Sequence, residues 1–216
     1  MRLVLVGPPG SGKGTQAERL VTKHGLRYIG TGNILRDAIK RQTPPGLRAE
    51  PYLKQGHLAP DDLVNELVRE LFTGAECPNK FVADGYPRTV AQAVWFDKLL
   101  AGLGCRLDAV IQFDVSDEEV VRRISGRRLS QTTKRVYHVQ DRPPRVLGVC
   151  DEDGLPLVHR PDDREDVIRE RLRVFHETTD ALVAHYRARG LLKVVPAVGS
   201  PDEIYDKTMA QLTPRT

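Results

Sequence analysis

Gly7-Pro8-Pro9-Gly10-Ser11-Gly12-Lys13-Gly14-Thr15 decides how this chain is read, because it follows a short apolar run, Leu3-Val4-Leu5-Val6, and opens a helical pattern, Gln16-Ala17-Glu18-Arg19-Leu20. The order is strand, glycine-rich turn, helix N-terminus. Glycines let a backbone turn its N–H groups inward and a helix start adds partial positive charge, so such a stretch cradles a polyphosphate. Lys13 then reaches the outer phosphates. Against G-x-x-x-x-G-K-[ST] the match holds at Gly7, Gly12 and Lys13 and fails at the last position, where Gly14 stands and the hydroxyl comes one residue later, at Thr15.

Downstream, the pattern alternates. Leu26-Arg27-Tyr28-Ile29 predicts a short strand, and Thr31 or Asn33 is placed to cap a helix over Ile34 to Lys40. Thr43-Pro44-Pro45-Gly46 breaks that helix, Leu47 to Gln55 predicts a short one, and Asp61-Asp62 caps another whose Leu63, Val64, Leu67, Val68 and Leu71 recur at helical spacing. The segment from about Thr31 to Leu71 therefore reads as helical and inserted. Phe81-Val82-Ala83-Asp84 is a strand ending in a carboxylate, followed by Gly85-Tyr86-Pro87-Arg88-Thr89 and a helix through Ala91, Val94, Trp95 and Leu99. An Asp there lies at the carboxyl end of a parallel strand, where open α/β sheets bind ligands. Asp108 to Asp114 predicts a further strand, Ser116 caps the next helix, and from Arg127 to about Asp162 prolines and glycines interrupt everything but a small strand at Arg135 to Val139. A stretch of that length inside a domain reads as a flap. Asp162-Asp163 caps a long helix through Val167 to Tyr186, and Leu191 to Val195 with a helix from Pro201 closes the chain. The α/β alternation implies right-handed crossovers and a parallel sheet.

The chain has 216 residues, 40% hydrophobic and 29% charged, enough for one α/β domain with insertions, and no apolar run approaches bilayer length. A cytoplasmic location is expected. Cys77, Cys105 and Cys150 contain no C-x-x-C pair, so neither a disulfide framework nor a cysteine zinc site is indicated. The net charge of +4 is spread along the chain, aromatics are few, and no nucleic-acid module is present, so small polyanions account for the excess better than nucleic acid.

Phosphoryl transfer asks a protein to neutralise charge, hold reactants in line and exclude water. Arginine forks do the first two. Arg36, Arg88, Arg123, Arg127, Arg160 and Arg171 stand beside breaks or inserted segments, and Arg88 stands out because it follows Asp84-Gly85 at a strand end. Asp84 suits a magnesium shell, acting through water. His57, His138, His159 and His176 lack metal-ligand spacing, and no histidine base is placed in sequence beside Ser11 or Thr15, so covalent catalysis has no support.

Taken together these motifs resemble the adenylate kinases, of the longer bacterial type, from Met1 to the last helix. Residues 7 to 16 are similar to the family's phosphate loop, late threonine included, which assigns Gly10, Ser11, Gly12, Lys13, Gly14 and Thr15 to ATP. Gly30-Thr31-Gly32-Asn33-Ile34-Leu35-Arg36 resembles its Thr-Gly-Asp-x-Leu-Arg stretch and implies Thr31 near the AMP adenine and Arg36 on the AMP phosphate. Asp84-Gly85-Tyr86-Pro87-Arg88-Thr89 resembles its Asp-Gly-Phe-Pro-Arg-Thr signature, with Gly85, Tyr86 and Pro87 in the substrate loop, Arg88 gripping phosphates and Gln92 reading adenine. By the same resemblance His57, Leu58 and Ala59 line the AMP pocket, Arg123 and Arg127 approach ATP, Val136 and Tyr137 belong to the ATP-facing part of a lid, and Arg160 and Arg171 bridge the phosphates. Asp162 and Asp163 belong to the lid hinge, and Ser200 borders the ATP adenine. Asn33 stands where the family usually has Asp, and the lid lacks the cysteine set that some relatives use for zinc.

The resemblance implies a P-loop three-layer α/β fold with a five-stranded parallel sheet: one domain, with a core of residues 1–29, 73–126 and 164–216, an AMP-binding insertion at 30–72 and a lid insertion at 127–163. It implies reversible transfer of the γ-phosphoryl group of MgATP to AMP, giving two ADP. Lys13, Arg88, Arg127, Arg160 and Arg171 are then the catalytic side chains, Mg²⁺ the cofactor with no zinc site, and ATP, AMP and ADP the partners of a monomer that binds neither nucleic acid nor membrane. A kinase for UMP or CMP is the near rival. A GTP-dependent switch would want Asn-Lys-x-Asp, which Asn79-Lys80-Phe81-Val82 begins without completing.

Overall fold

An unbroken apolar run makes a strand that needs cover on both faces. Leu3, Val4, Leu5 and Val6 are all buried, and they form most of β1 (Arg2–Val6) in the computed structural model, which describes residues 1–54, 58–74, 77–133, 135–160 and 163–212. The elements that follow are α1 (Lys13–His24), β2 (Arg27–Gly30), α2 (Thr31–Lys40), α3 (Pro44–Lys54), α4 (Asp61–Thr73), β3 (Phe81–Asp84), α5 (Val90–Gly102) and β4 (Ala109–Asp114). After them come α6 (Asp117–Ser125), β5 (Arg127–Leu129), β6 (Val136–His138), α7 (Glu165–Ala188), β7 (Leu192–Pro196) and α8 (Pro201–Leu212). Two compact units divide the chain, one built from Met1–Gly7, Gly12–Asp114 and the stretch from Thr178 onward, the other from Pro8–Ser11 and Val115–Glu177.

The first unit carries the sheet, five parallel strands in the order β2-β3-β1-β4-β7. β1 is central, and the chain turns first to one side of it (β2, β3) and then to the other (β4, β7). That is a topological switch point, and the carboxyl end of β1 opens there. The core on one face gathers Val4, Val6, Ile29, Phe81 and Ala83 from strands with Leu67, Phe72, Phe96 and Leu182 from helices. Phe96 anchors it, its ring meeting Phe72 at 5.4 Å and Tyr86 at 5.3 Å edge to face.

Local chemistry departs from the sequence reading at the helix starts. Thr43-Pro44-Pro45-Gly46 ends α2 as expected, yet it is also the beginning of α3. Thr43 Oγ1 accepts from Gly46 N at 3.2 Å, the N-cap bond, and two prolines sit where helical N–H groups have no partner anyway. Neither Thr31 nor Asn33 caps α2: the helix starts at Thr31 directly after β2, its N-cap is Gly30, and no side chain caps it. Asp61 likewise is the first residue of α4, behind Pro60, and makes no cap bond. Asp163 accepts from Arg127 and α7 starts at Glu165; Asp162 lies outside the described residues.

The second unit packs Val120, Val121 and Ile124 of α6 against Ile168 and Leu172 of α7. An antiparallel pair, β5 with β6, pairs Arg127 with His138 and Leu129 with Val136, and bridges tie Leu129 to Val158 and Val149 to Pro156. β6 matches the expected small strand; three-residue β5 is too short to show a period of two. Side chains knit this segment: Ser130 Oγ donates to Asp153 at 3.1 Å, and the Tyr137 hydroxyl accepts from Asp151 N at 2.9 Å and lies 3.5 Å from the buried Cys150 Sγ.

Gly46 is a close approach between α2 and α3, since a Cβ there would stand 2.2 Å from the Ala38 carbonyl carbon. Gly46→Ala is expected to cost about 1–3 kcal/mol by overpacking. Gly102→Ala, at the open end of α5 where a Cβ meets nothing within 4 Å, is expected to be neutral or stabilising by up to about 1 kcal/mol. Denaturant unfolding of both variants distinguishes backbone contact from a general intolerance of alanine.

Candidate active site

Between β1 and α1 the backbone takes positive φ at Gly10 (74°) and at Gly12 (92°), the latter serving as the N-cap of α1 without any side-chain cap. Only glycine adopts these angles cheaply, and Gly10 also leaves no room for a side chain, since its Cβ would lie 2.5 Å from Ile124. A helix start built on bare glycine backbone is in general a setting that suits an anion. Lys13 Nζ donates to Gly7 O at 2.7 Å, back to the end of β1. Thr15 is exposed in the first turn, one position beyond the usual hydroxyl, and a Cβ at Gly14 would meet nothing within 4 Å.

At the ends of β2 and β3, a cavity of about 170 Å³ is lined by Thr31, Gly32, Leu35, Arg36, Leu53, Leu58, Ala59, Asp61, Val64, Gly85, Arg88 and Gln92. That is roughly ten times the space one water needs. The register pairs Gly30 with Asp84, so the first residue of α2 and the loop after β3 emerge side by side, and Thr31 Oγ1 donates to Gly85 O at 2.9 Å. Arg88 Nε donates to the same carbonyl at 2.9 Å. Arg36 Nη2 donates to Asn33 Oδ1 at 2.6 Å, so Asn33 steers the guanidinium instead of capping the helix. Asp84 accepts from the Tyr28 hydroxyl at 3.1 Å; burial, then the neighbouring Asp84 charge, pushes the Tyr28 phenol up, so it stays a donor.

Gln92 is buried. Its Oε1 accepts from Arg88 N at 2.7 Å and its Nε2 donates to Asp61 Oδ1 at 2.7 Å, while Thr89 Oγ1 donates to Asp61 Oδ2 at 2.6 Å and caps α5 by accepting from Gln92 N. Of the expected pocket residues the structure therefore brings together Thr31, Arg36, Leu58, Ala59, Gly85, Arg88 and Gln92. His57 lies outside the described residues, and Tyr86 is buried in the core with its hydroxyl on Asn65, away from the cavity wall. Asp61 and Tyr28 were not among the expected site residues: an Asp at a helix start reads as a cap and a Tyr within a strand as packing.

In the second unit two arginines near the β5 hairpin are held by carboxylates, while Arg128 Nη1 donates to the Ser125 and Arg127 carbonyls. Arg127 forks onto buried Asp163 at 2.9 and 2.5 Å, and Arg123 donates to Glu119 at 2.7 Å. Tyr137 is buried and Val136 exposed, Arg160 is exposed and Arg171 half-buried on α7. His138, His159 and His176 bond to Arg122 O, Asp163 O and Asp117. In the first unit Ser200 exchanges bonds with Glu203, a capping box that starts α8. Among the described residues no group of three or more His, Cys, Asp or Glu is placed to hold a metal ion.

Residues 5–191 match the family described as Adenylate kinase. The chain is 44% identical over 212 residues to the adenylate kinase of Geotalea daltonii, covering 98% of this chain and 99% of that one. It is 44% identical to that of Acidothermus cellulolyticus over 98% of each chain, and 48% identical to that of Moorella thermoacetica over 90% of each.

Hydrogen bonds from Arg122 and then Arg123 hold the Glu119 carboxyl down from its usual 4.5 to about 2. A depressed carboxyl stabilises the fold fully above pH 4.5 and loses that contribution as pH falls toward 2. Acid unfolding of Glu119→Gln should therefore show a shallower loss of stability between pH 4.5 and 2 than the parent chain.

Proposed function

The chain belongs to the adenylate kinase family, and we propose that it transfers the γ-phosphoryl group of MgATP reversibly to AMP, giving two ADP. The observation that carries this is the cavity at the ends of β2 and β3, where two guanidiniums, Arg36 and Arg88, share one lining with a carboxamide, Gln92, and apolar Leu35, Leu53 and Val64. Forks suit a monophosphate, and an amide between apolar walls suits a heterocyclic base. The acceptor phosphate is itself the nucleophile and is largely ionised at neutral pH, so no general base is required.

On this reading the glycine loop with Lys13, Gly14 and Thr15 holds the donor, Lys13 on its outer phosphates. Arg88, Arg127, Arg160 and Arg171 neutralise charge that develops in transfer. Arg127 and Arg123 give up Asp163 and Glu119 for phosphate oxygens, an exchange of one anion for another that keeps each cation aimed while no nucleotide is bound. Tyr137 turns its ring inward while Val136 is exposed, so a nucleotide beside β6 meets main chain at 137 and the Val136 side chain, and Ser200 borders the donor base. Residues 30–72 act as the acceptor-binding insertion and 127–163 as the lid, on a core of 1–29, 73–126 and 164–216. Adenylate kinases are an established case of lid closure as a step of turnover, and closure excludes water from the transfer.

Asp84 fits a magnesium shell: it is a hard oxygen donor at a strand end, and one bond from Tyr28 leaves a carboxylate three further lone-pair sites. Asp84 would hold Mg²⁺ through water, with Asn33 adding no charge, and the ion would supply neutralisation of phosphate charge. A cytoplasmic monomer belongs to the same proposal; among the described residues no helix is long and apolar enough to cross a membrane.

A coupled assay with MgATP against AMP, GMP, UMP and CMP should show AMP as the preferred acceptor, and equal use of all four overturns the assignment. Arg88→Ala should lower turnover on the order of a hundredfold or more while the protein stays folded by circular dichroism.

A further inference from the structure

A carboxamide can be turned over, exchanging its donor and acceptor, unless its neighbours forbid it. Gln92 has two neighbours that work in one direction only. The Arg88 main-chain N–H can only donate, and it donates to Oε1; the Asp61 carboxylate can only accept, and it accepts from Nε2, both at 2.7 Å. Turning the amide over would set N–H against N–H and oxygen against carboxylate. Asp61 is itself held, because Thr89 Oγ1 accepts from Gln92 N as the cap of α5 and so must spend its one proton on Asp61 Oδ2, at 2.6 Å. The result is a closed ring of bonds, Gln92 to Thr89 to Asp61 to Gln92, with the second carboxamide atom pinned by Arg88.

We infer that Asp61 is the residue that sets base specificity, by locking Gln92 in the orientation that accepts adenine and rejects 6-oxopurines. The inference rests on the AMP reading above. After its two fixed bonds the carboxamide retains one N–H and one lone pair. These complement the adenine edge, which accepts at N1 and donates from the 6-amino group. Hypoxanthine and guanine reverse both positions, donating at N1 and accepting at O6. With the amide free to turn, Gln92 would serve either base; with Nε2 held by Asp61, the 6-oxopurine faces two mismatched pairs. Buried polar groups left unpaired discriminate far more strongly than lost apolar contact. Asp61 touches no substrate atom on this account and is a positioning residue.

Steady-state kinetics with saturating MgATP should compare the parent enzyme and Asp61→Asn on AMP, IMP and GMP. IMP is the sharpest probe, being AMP with only those two positions reversed. Asparagine can accept or donate, so the turned amide then opposes Arg88 alone. The ratio of kcat/KM for AMP over IMP is expected to fall on the order of tenfold, with the KM for ATP unchanged. An unchanged ratio, or an equal loss on AMP and IMP, overturns the inference, since a merely structural Asp61 would weaken both alike. Asp61→Ser, whose hydroxyl also works in either direction, replaces the asparagine variant if that one does not fold. A parent enzyme that fails to prefer AMP over IMP overturns the AMP reading itself, and the two failures are read from different samples.

Discussion

Strand register is the constraint on which the rest depends. β3 lies between β2 and β1, with Asp84 level with Gly30 on one side and Leu5 on the other, so three chains leave the sheet at one height. From there everything polar is close by: Thr31 meets Gly85, Tyr28 meets Asp84, and Val6 runs straight into the glycine turn. A parallel sheet buried on both faces has nowhere else to put chemistry. Slipping β3 by one residue would send Asp84 to the other face and Ala83 to the edge of the cavity.

What the amino-acid sequence made legible follows the same division. Apolar runs such as Leu3 to Val6 and Phe81 to Ala83 announce buried strands because burial is all they do, and the glycine loop announces itself because its backbone angles admit few other residues. The helix starts were less readable. Thr31, Asn33 and Asp61 are good caps in isolation, and each is drawn off by a partner distant in sequence or by a neighbouring guanidinium: Gly85 O, Arg36, and the Thr89–Gln92 pair. At these three positions a second partner in reach takes the side chain from the cap, whereas Thr89 caps α5 and bonds Asp61 at once. The membership of Arg36, Arg88 and Gln92 in one cavity was anticipated from family motifs; that Asp61 belongs with them needed the fold.

Electrostatically, several cations among the described residues are already occupied. Arg127 with Asp163, Arg123 and Arg122 with Glu119, and Lys13 with the Gly7 carbonyl are arrangements in which a positive group already has an oxygen to bond. On the proposed donor assignment, binding a polyphosphate replaces bonds more than it creates them, which holds affinity down, keeps aim and suits an enzyme whose products must leave.

Gly14 shows what such a site costs the fold. It sits in the first turn of α1, where alanine would stabilise by about 0.4–1 kcal/mol through the unfolded chain, and the space a methyl group would fill is open. On the proposed donor assignment, a close approach of phosphate to bare backbone repays that deficit. A campaign that ranked substitutions by melting temperature alone would find alanine at this position early and keep it, trading turnover for robustness without any sign of damage in the unfolding curve.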